Sequence, residues 1–102
     1  MIIAAPYDNM GNVPKSVKRA KTFKIYVAED GGVVRSKLVF HFGVNKKTPL
    51  PELLSAQGAE VLVCRKASGG ELKAFEAAGI KVFPGYEGNG DRCVAEYLEK
   101  TK

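Results

Sequence analysis

The chain has 102 residues, enough for one domain built around one hydrophobic core. Hydrophobic residues make up 45% of the chain, which argues against disorder. The formal net charge of +5 permits an anionic partner but does not name one. The sequence contains neither a membrane-length apolar run nor the pattern of a signal peptide, so we expect a cytoplasmic protein with no membrane partner. Its two cysteines lack the paired spacing of a zinc site or a disulfide framework.

The first half of the chain predicts three strands. Ile2 to Ala5 is a short apolar strand, and a loop rich in Pro, Gly and Asn follows it. Lys15 to Lys21 then carries four cations in seven residues. Thr22 to Glu29 and Val33 to Phe42 both alternate with a period of two. Because Asp30 to Gly32 between them favours a tight turn, these two strands should form an antiparallel hairpin.

The second half predicts helices that alternate with strands. A helix should open at Thr48, as its cap, with Pro49 in the first helical position, and close at Gly58. The last helix should cover Asp91 to Lys100, after a loop from Pro84 to Gly90. Buried packing is the expected role of Cys93, which lies on that last helix beside Val94.

Between these helices lies a strand, glycine loop, helix and strand. Val61 to Val63 and Ile80 to Phe83 are short apolar strands. Ser68 and Glu71 have the spacing of a capping box, which predicts a helix start, and Gly79 suits the left-handed position at the helix end. Two buried strands joined by a helix form a right-handed parallel crossover.

This element order predicts an α/β fold in which a five-stranded mixed sheet carries helices on its faces. One hairpin strand should run antiparallel and the others parallel to the first strand. The loops after the parallel strands should then meet at one edge of the sheet, where ligands of such folds bind. We therefore predict an anion site formed by Ser16, Lys18, Arg19, Arg65, Lys66, Ser68, Gly69 and Gly70.

Two features of this edge have a second interpretation. Ser68 and Glu71 can satisfy the helix start by themselves, and the Glu71 carboxylate would repel an anion. Cys64 could bind a soft metal as a thiolate, but a lone cysteine at the end of a buried strand is more often a small hydrophobic residue.

The sequence resembles the dinitrogenase iron–molybdenum cofactor biosynthesis family, the small NifX-type domain that is also appended to NifB. The resemblance covers nearly the whole chain, 1–102, as one NifX-type domain. It rests on Ile3-Ala-Ala-Pro-Tyr-Asp8, Arg19-Ala20 before Phe23-Lys-Ile-Tyr-Val27, Leu50-Pro-Glu-Leu-Leu54, Gly58-Ala-Glu-Val-Leu-Val-Cys64 and Ala77-Ala-Gly-Ile-Lys-Val82. It implies a ribonuclease-H-like, three-layer fold, which agrees with the element order above.

The resemblance also implies non-catalytic binding of an anionic metal–sulfur cluster or its precursor. The cluster could be an iron–sulfur, an iron–molybdenum or a molybdenum–copper sulfide. In the family, the loop after the first strand usually reads V-x-x-H-F-G-x-A, and its His is the implied cluster ligand. Here Ser16 occupies the His position, Val17 the Phe position and Lys18 the Gly position. A chain that has lost this ligand could also bind no cofactor.

The same sequence bears on three other functions. A nuclease of this fold needs several carboxylates around metal ions, and only Asp8 follows the first strand. Nucleic-acid binding could use the cations of 15–24 with Tyr26 and Tyr86 as stacking platforms, but the charge excess is modest. A protein-interaction module is the third class, with a cluster-biosynthesis protein as one partner. Arg35 and Lys37 would guard an exposed hairpin edge, and the chain could be a monomer or a homodimer.

Overall fold

The computed structural model describes residues 1–42 and 47–101. Seven strands and three helices follow one another in this part of the chain: β1 (Ile2–Pro6), β2 (Asn12–Val13), β3 (Thr22–Glu29), β4 (Gly32–Phe40), α1 (Leu50–Ala56), β5 (Val61–Val63), α2 (Gly69–Ala77), β6 (Lys81–Phe83), β7 (Gly88–Asn89) and α3 (Gly90–Lys100). None of these helices is long and apolar enough to cross a membrane.

Five of the strands form the mixed sheet that the sequence predicts, in the order β4-β3-β1-β5-β6. β1, β5 and β6 run parallel, with Ile3 beside Val61 and Leu62 beside Val82. β3 is antiparallel to both of its neighbours, β1 and β4. The predicted fold class and the single antiparallel hairpin strand are therefore confirmed.

The core has one layer on each face of this sheet, because successive residues of a strand point to opposite faces. On one face, Ile3 and Ala5 pack with Val94 and Tyr97 of α3. On the other face, Ala4 packs with Phe75 of α2 and with residues of α1. Ile3, Ala4 and Ala5 are all completely buried, so β1 is the central strand of the structure.

Helix α2 begins and ends as predicted. The Ser68 hydroxyl accepts a hydrogen bond from the Glu71 amide, and the Glu71 side chain accepts one from the Ser68 amide. At the other end, Gly79 has a φ of +83°, and the Ile80 amide donates to the Phe75 carbonyl at 2.9 Å. These two local signals place the helix between β5 and β6 and so fix where its start meets the sheet edge.

The predicted start of α1 was wrong by one residue. Pro49, not Thr48, is the cap residue, and no side chain caps this helix. The Pro49 carbonyl accepts the first helical bond, from the Leu53 amide, whereas the Thr48 carbonyl is hydrogen-bonded to the His41 ring at 2.9 Å. Thr48 thus lies outside the helix, one residue before its first acceptor.

A two-stranded antiparallel ribbon of β2 and β7 was not predicted. Asn12 lies opposite Asn89 and Val13 opposite Gly88, so two predicted loops are joined to each other. These two-residue strands are too short to show alternation, which is why the sequence pattern indicates only loops there. β3 and β5 have the predicted bounds, whereas β1, β4 and β6 differ by one or two residues; β4 covers Gly32–Phe40 instead of 33–42. The sequence also indicates a second basic loop from Gly43 to Lys47, most of which lies outside the described residues.

Candidate functional site

The loops after β1 and β5 meet at one edge of the sheet and line a cavity of about 530 Å³. Its lining consists of Pro14, Lys15, Ser16, Arg19, Lys66 and Glu71. The structure thus brings together three of the predicted site residues, Ser16, Arg19 and Lys66. It adds Lys15, which the sequence analysis placed in the same basic stretch but not in the site.

The loop before β3 holds two of these side chains in place through a tight turn. The Arg19 amide donates to the Ser16 hydroxyl at 3.3 Å, and the Ala20 amide donates to the Val17 carbonyl at 3.2 Å. Val17 is buried in the core layer that includes Phe75, which anchors the turn. Ser16 and Arg19 therefore face the cavity, while the exposed Lys18 does not line it.

The start of α2 lies at the same cavity through Glu71. The Ser68 amide donates to the Glu71 carboxylate at 2.9 Å, and the Ser68 hydroxyl accepts from the Glu71 amide at 3.2 Å. Both groups of Ser68 are therefore engaged within the helix start. The amides of Gly69 and Gly70 have no acceptor within residues 1–42 and 47–101, as expected in a first helical turn. The Glu71 carboxylate reduces the positive potential of the cavity, as the second interpretation of this loop anticipated.

Arg65 does not line the cavity. Its guanidinium forms an ion pair with Glu87 at 3.2 Å, and its carbonyl accepts a bond from the Gly85 amide at 3.0 Å. These contacts hold the β5 loop against the loop after β6. Arg65 therefore contributes to loop packing, and its predicted role at an anion is not supported by this geometry.

Cys64 is completely buried in the layer that also contains Val17 and Phe75. Burial, with a smaller contribution from the Glu71 charge, raises the pKa of its thiol to about 11. At neutral pH the group is thus a protonated thiol in a closed apolar environment, and the thiolate is the form that binds metals. Metal ligation by Cys64 stays a prediction that this burial opposes.

The electrostatics of the cavity favour an anion despite Glu71. Three cations, Lys15, Arg19 and Lys66, face one carboxylate. Within residues 1–42 and 47–101, none of these three cations forms an ion pair. In that same part of the chain, no three His, Cys, Asp or Glu side chains are grouped as a metal site requires. The site can therefore hold an anion through charge and N–H donors, but it offers no ready set of metal ligands.

A polar network between β3 and α3 was not found from the sequence. Asp91 accepts hydrogen bonds from Lys24 at 2.9 Å and from Tyr26 at 2.8 Å. The bond from Lys24, followed by that from Tyr26, holds the pKa of Asp91 below its usual range, and Asp91 in turn raises the pKa of Lys24. The partners are more than 60 residues apart, and no local pattern links them.

We expect Asp91→Asn to lower the free energy of unfolding by roughly 1 kcal/mol at pH 7. The loss is kept small because 57% of the Asp91 side chain is exposed and solvent screens its charge. Since its pKa is depressed in the folded state, Asp91 stabilises the fold above its unfolded pKa and ceases to do so as the pH falls through the folded value. Urea unfolding of both proteins should therefore give curves that converge between about pH 5 and pH 2. An equal difference at pH 7 and pH 2 would contradict this role.

Three residues named for the nucleic-acid and nuclease alternatives have structural roles. Tyr26 and Tyr86 are buried, so they are not available to stack on bases. The Asp8 carboxylate accepts the amides of Met10 at 2.9 Å and Asn12 at 2.8 Å, which gives it a role in the turn after β1.

The chain matches one protein family over residues 1–100, described as dinitrogenase iron-molybdenum cofactor. No curated protein gave a match. Among solved structures, the protein PH0822 superposes with a TM-score of 0.86 at 24% identity, over 98% of this chain and 92% of that chain. A putative dinitrogenase from Methanocaldococcus jannaschii has a TM-score of 0.80 at 20% identity, over 98% and 89%.

The apo form of the orange protein from Desulfovibrio gigas has a TM-score of 0.79 at 23% identity, over 97% of this chain and 88% of that chain. These likenesses show a shared fold, and the family match over nearly the entire length shows the membership that the sequence resemblance implied. The chain belongs to the dinitrogenase iron–molybdenum cofactor family.

Proposed function

We propose that this chain binds or carries an anionic metal–sulfur cluster, or a precursor of one, during cofactor biosynthesis, without catalysing a reaction. The single observation that carries this proposal is the cavity between the β1 and β5 loops, whose three cations form no ion pair within the described residues. Membership of a family related to the iron–molybdenum cofactor supports the choice of anion.

The chemistry of such an anion suits the residues present. A thiometallate or metal–sulfide cluster brings its own sulfide ligands, so its protein host can recognise charge instead of completing a coordination shell. Lys15, Arg19 and Lys66 would neutralise the negative charge, and the amides of Gly69 and Gly70 are nearby hydrogen-bond donors. The cavity volume of about 530 Å³ lies within the range of small-ligand sites, roughly 300–1,000 Å³.

Ser16 determines the kind of binding we expect. It occupies the position of the His that the family pattern uses as a ligand, and it lines the cavity. A hydroxyl group can donate a hydrogen bond to a sulfide but is a weaker ligand than imidazole for a soft metal. We therefore propose a reversible electrostatic complex in which no side chain bonds directly to the metal, as suits a carrier that must release its cargo.

The metal and sulfide content of the protein tests this function. The protein should be purified without oxygen from its own host, and its visible absorption spectrum should be recorded. We expect molybdenum, iron or copper together with sulfide, or stoichiometric uptake of tetrathiomolybdate by the colourless protein. A metal-free protein that takes up neither thiomolybdate nor an iron–sulfur precursor would contradict the proposal.

A further inference from the structure

Strand β4 is an edge strand of the main sheet, and within residues 1–42 and 47–101 no strand pairs with its outer side. It lies at the end of the strand order, and every residue from Gly32 to Phe40 except Val39 is exposed. The His41 amide donates to the Lys21 carbonyl at 2.7 Å, across the β3–β4 pair. Because backbone groups alternate in direction along an antiparallel strand, those of Ser36 and Leu38 point away from β3. A nine-residue edge with outward N–H and C=O groups can pair with another strand.

The side chains of this edge separate into an apolar face and a basic face. Leu38, Phe40 and Phe42 are 46%, 42% and 50% exposed, and the rings of Phe40 and Phe42 lie edge to face at 5.5 Å. Leu38 lies opposite Lys24 and Phe40 opposite Thr22, so both point to the sheet face that carries α3. Arg35 and Lys37 point to the other face.

The two basic side chains of β4, Arg35 and Lys37, lie on one face of the strand. Within residues 1–42 and 47–101, neither Arg35 nor Lys37 forms an ion pair. They are two positions apart, which is the spacing of consecutive side chains on one face of a strand. A complementary strand would therefore place an acidic side chain opposite each of them and apolar side chains opposite Ser36, Leu38 and Phe40.

A second copy of this chain is a poor occupant of the edge in the two registers that pair the β4 strands about Ser36 or about Lys37. With two β4 strands paired antiparallel about Ser36, Arg35 of each copy would lie opposite Lys37 of the other. Shifting the register by two residues would place Lys37 opposite Lys37. Like charges directly opposite each other are destabilising, and each chain carries a net charge of +5.

We propose that β4 is a docking edge for a partner protein, which adds an extended segment of alternating acidic and apolar residues to the sheet. Its main chain would pair with the outward groups of Ser36 and Leu38, its acidic side chains with Arg35 and Lys37, and its apolar side chains with Leu38 and the Phe40–Phe42 pair. This inference does not depend on the proposed cluster binding, because β3 and β1 separate β4 from the β5 loop of the cavity.

A labelled probe peptide tests this docking. The probe is N-acetyl-Thr-Glu-Val-Glu-Val-Glu-Val-Thr-amide carrying fluorescein, titrated with the full chain and followed by fluorescence anisotropy. We expect saturable binding that Arg35→Glu with Lys37→Glu weakens by on the order of tenfold or more. The control variant is Lys73→Glu with Lys81→Glu, which has the same net charge as the β4 variant but is changed at exposed positions outside β4. It should bind the peptide like the original protein. N-methylation of one alternating set of peptide amides should abolish binding, and N-methylation of the other set should preserve it.

Three results would overturn the proposal. Equal weakening in both double variants would show non-specific attraction of an acidic peptide. Equal tolerance of the two N-methylated peptides would exclude strand addition. Sedimentation of the free protein as a dimer that Leu38→Glu dissociates would assign the edge to a second copy. The same Arg35→Glu and Lys37→Glu protein should take up tetrathiomolybdate as the original protein does. This measurement distinguishes a failure of the docking proposal from a failure of the proposed function.

Discussion

Replacing Arg19 and Lys66 by glutamate should reduce the affinity for tetrathiomolybdate by on the order of a hundredfold or more. Both side chains line the cavity, and each lacks an ion-pair partner in the part of the chain that the structure describes. Each substitution removes a charge-assisted contact worth about 1.5–3 kcal/mol and adds a repulsive carboxylate beside Glu71. A spectrophotometric titration under anaerobic conditions measures the effect.

The matched control for this variant is Lys73→Glu with Lys81→Glu, which changes the net charge equally at exposed positions outside the cavity. It should bind within about threefold of the original protein, because exposed charges beyond a Debye length are largely screened. Arg65→Gln should also have little effect on binding, since Arg65 does not line the cavity. Unimpaired binding by the Arg19 and Lys66 variant, with its fold intact, would exclude this cavity as the site.

Phe75→Ala should lower the free energy of unfolding by about 3–5 kcal/mol, the cost of removing a buried aromatic side chain and leaving a cavity. Phe75 is 2% exposed and is the one buried residue of α2. It packs in the same layer as Val17, which anchors the turn that presents Ser16 and Arg19. The substitution should therefore loosen both walls of the cavity. Urea unfolding followed by circular dichroism measures the loss.

Phe42→Ala is the control for this effect, because Phe42 is half exposed and outside both core layers. We expect it to cost less than about 1 kcal/mol. A similar loss in the two variants, or a loss below about 1 kcal/mol for Phe75→Ala, would show that α2 is not held by this side chain.

The elements that the sequence predicted well are those with a local physical signal. The alternation of 22–29 and the turn at Asp30 and Gly31 sufficed for the hairpin, and the Ser68–Glu71 spacing sufficed for the start of α2. Features that depend on contacts between distant residues were missed. The β2–β7 ribbon and the Lys24–Asp91 pair join segments far apart in the chain.

The same distinction explains the outcome at the site. Parallel strands place their following loops at one edge, and Ser16, Arg19 and Lys66 line one cavity there. The sequence could not show which side chains of those loops turn away. Arg65 forms an ion pair with Glu87 of the loop after β6. The side chain of Val17 is buried, and the neighbouring Lys18 is exposed to solvent.

The location of the anion site is the central claim, and backbone NMR tests it most directly. Tetrathiomolybdate should be titrated into ¹⁵N-labelled protein while the amide resonances are followed. We predict the largest shifts at Ser16, Arg19, Lys66, Gly69 and Gly70, with β4 and the exposed face of α3 unaffected. A second cavity of about 520 Å³ lies between β4 and α3, where Ser36 and Asp91 are among its lining residues. Shifts centred on that cavity, or spread evenly over the exposed lysines, would contradict binding at the β1 and β5 strand ends.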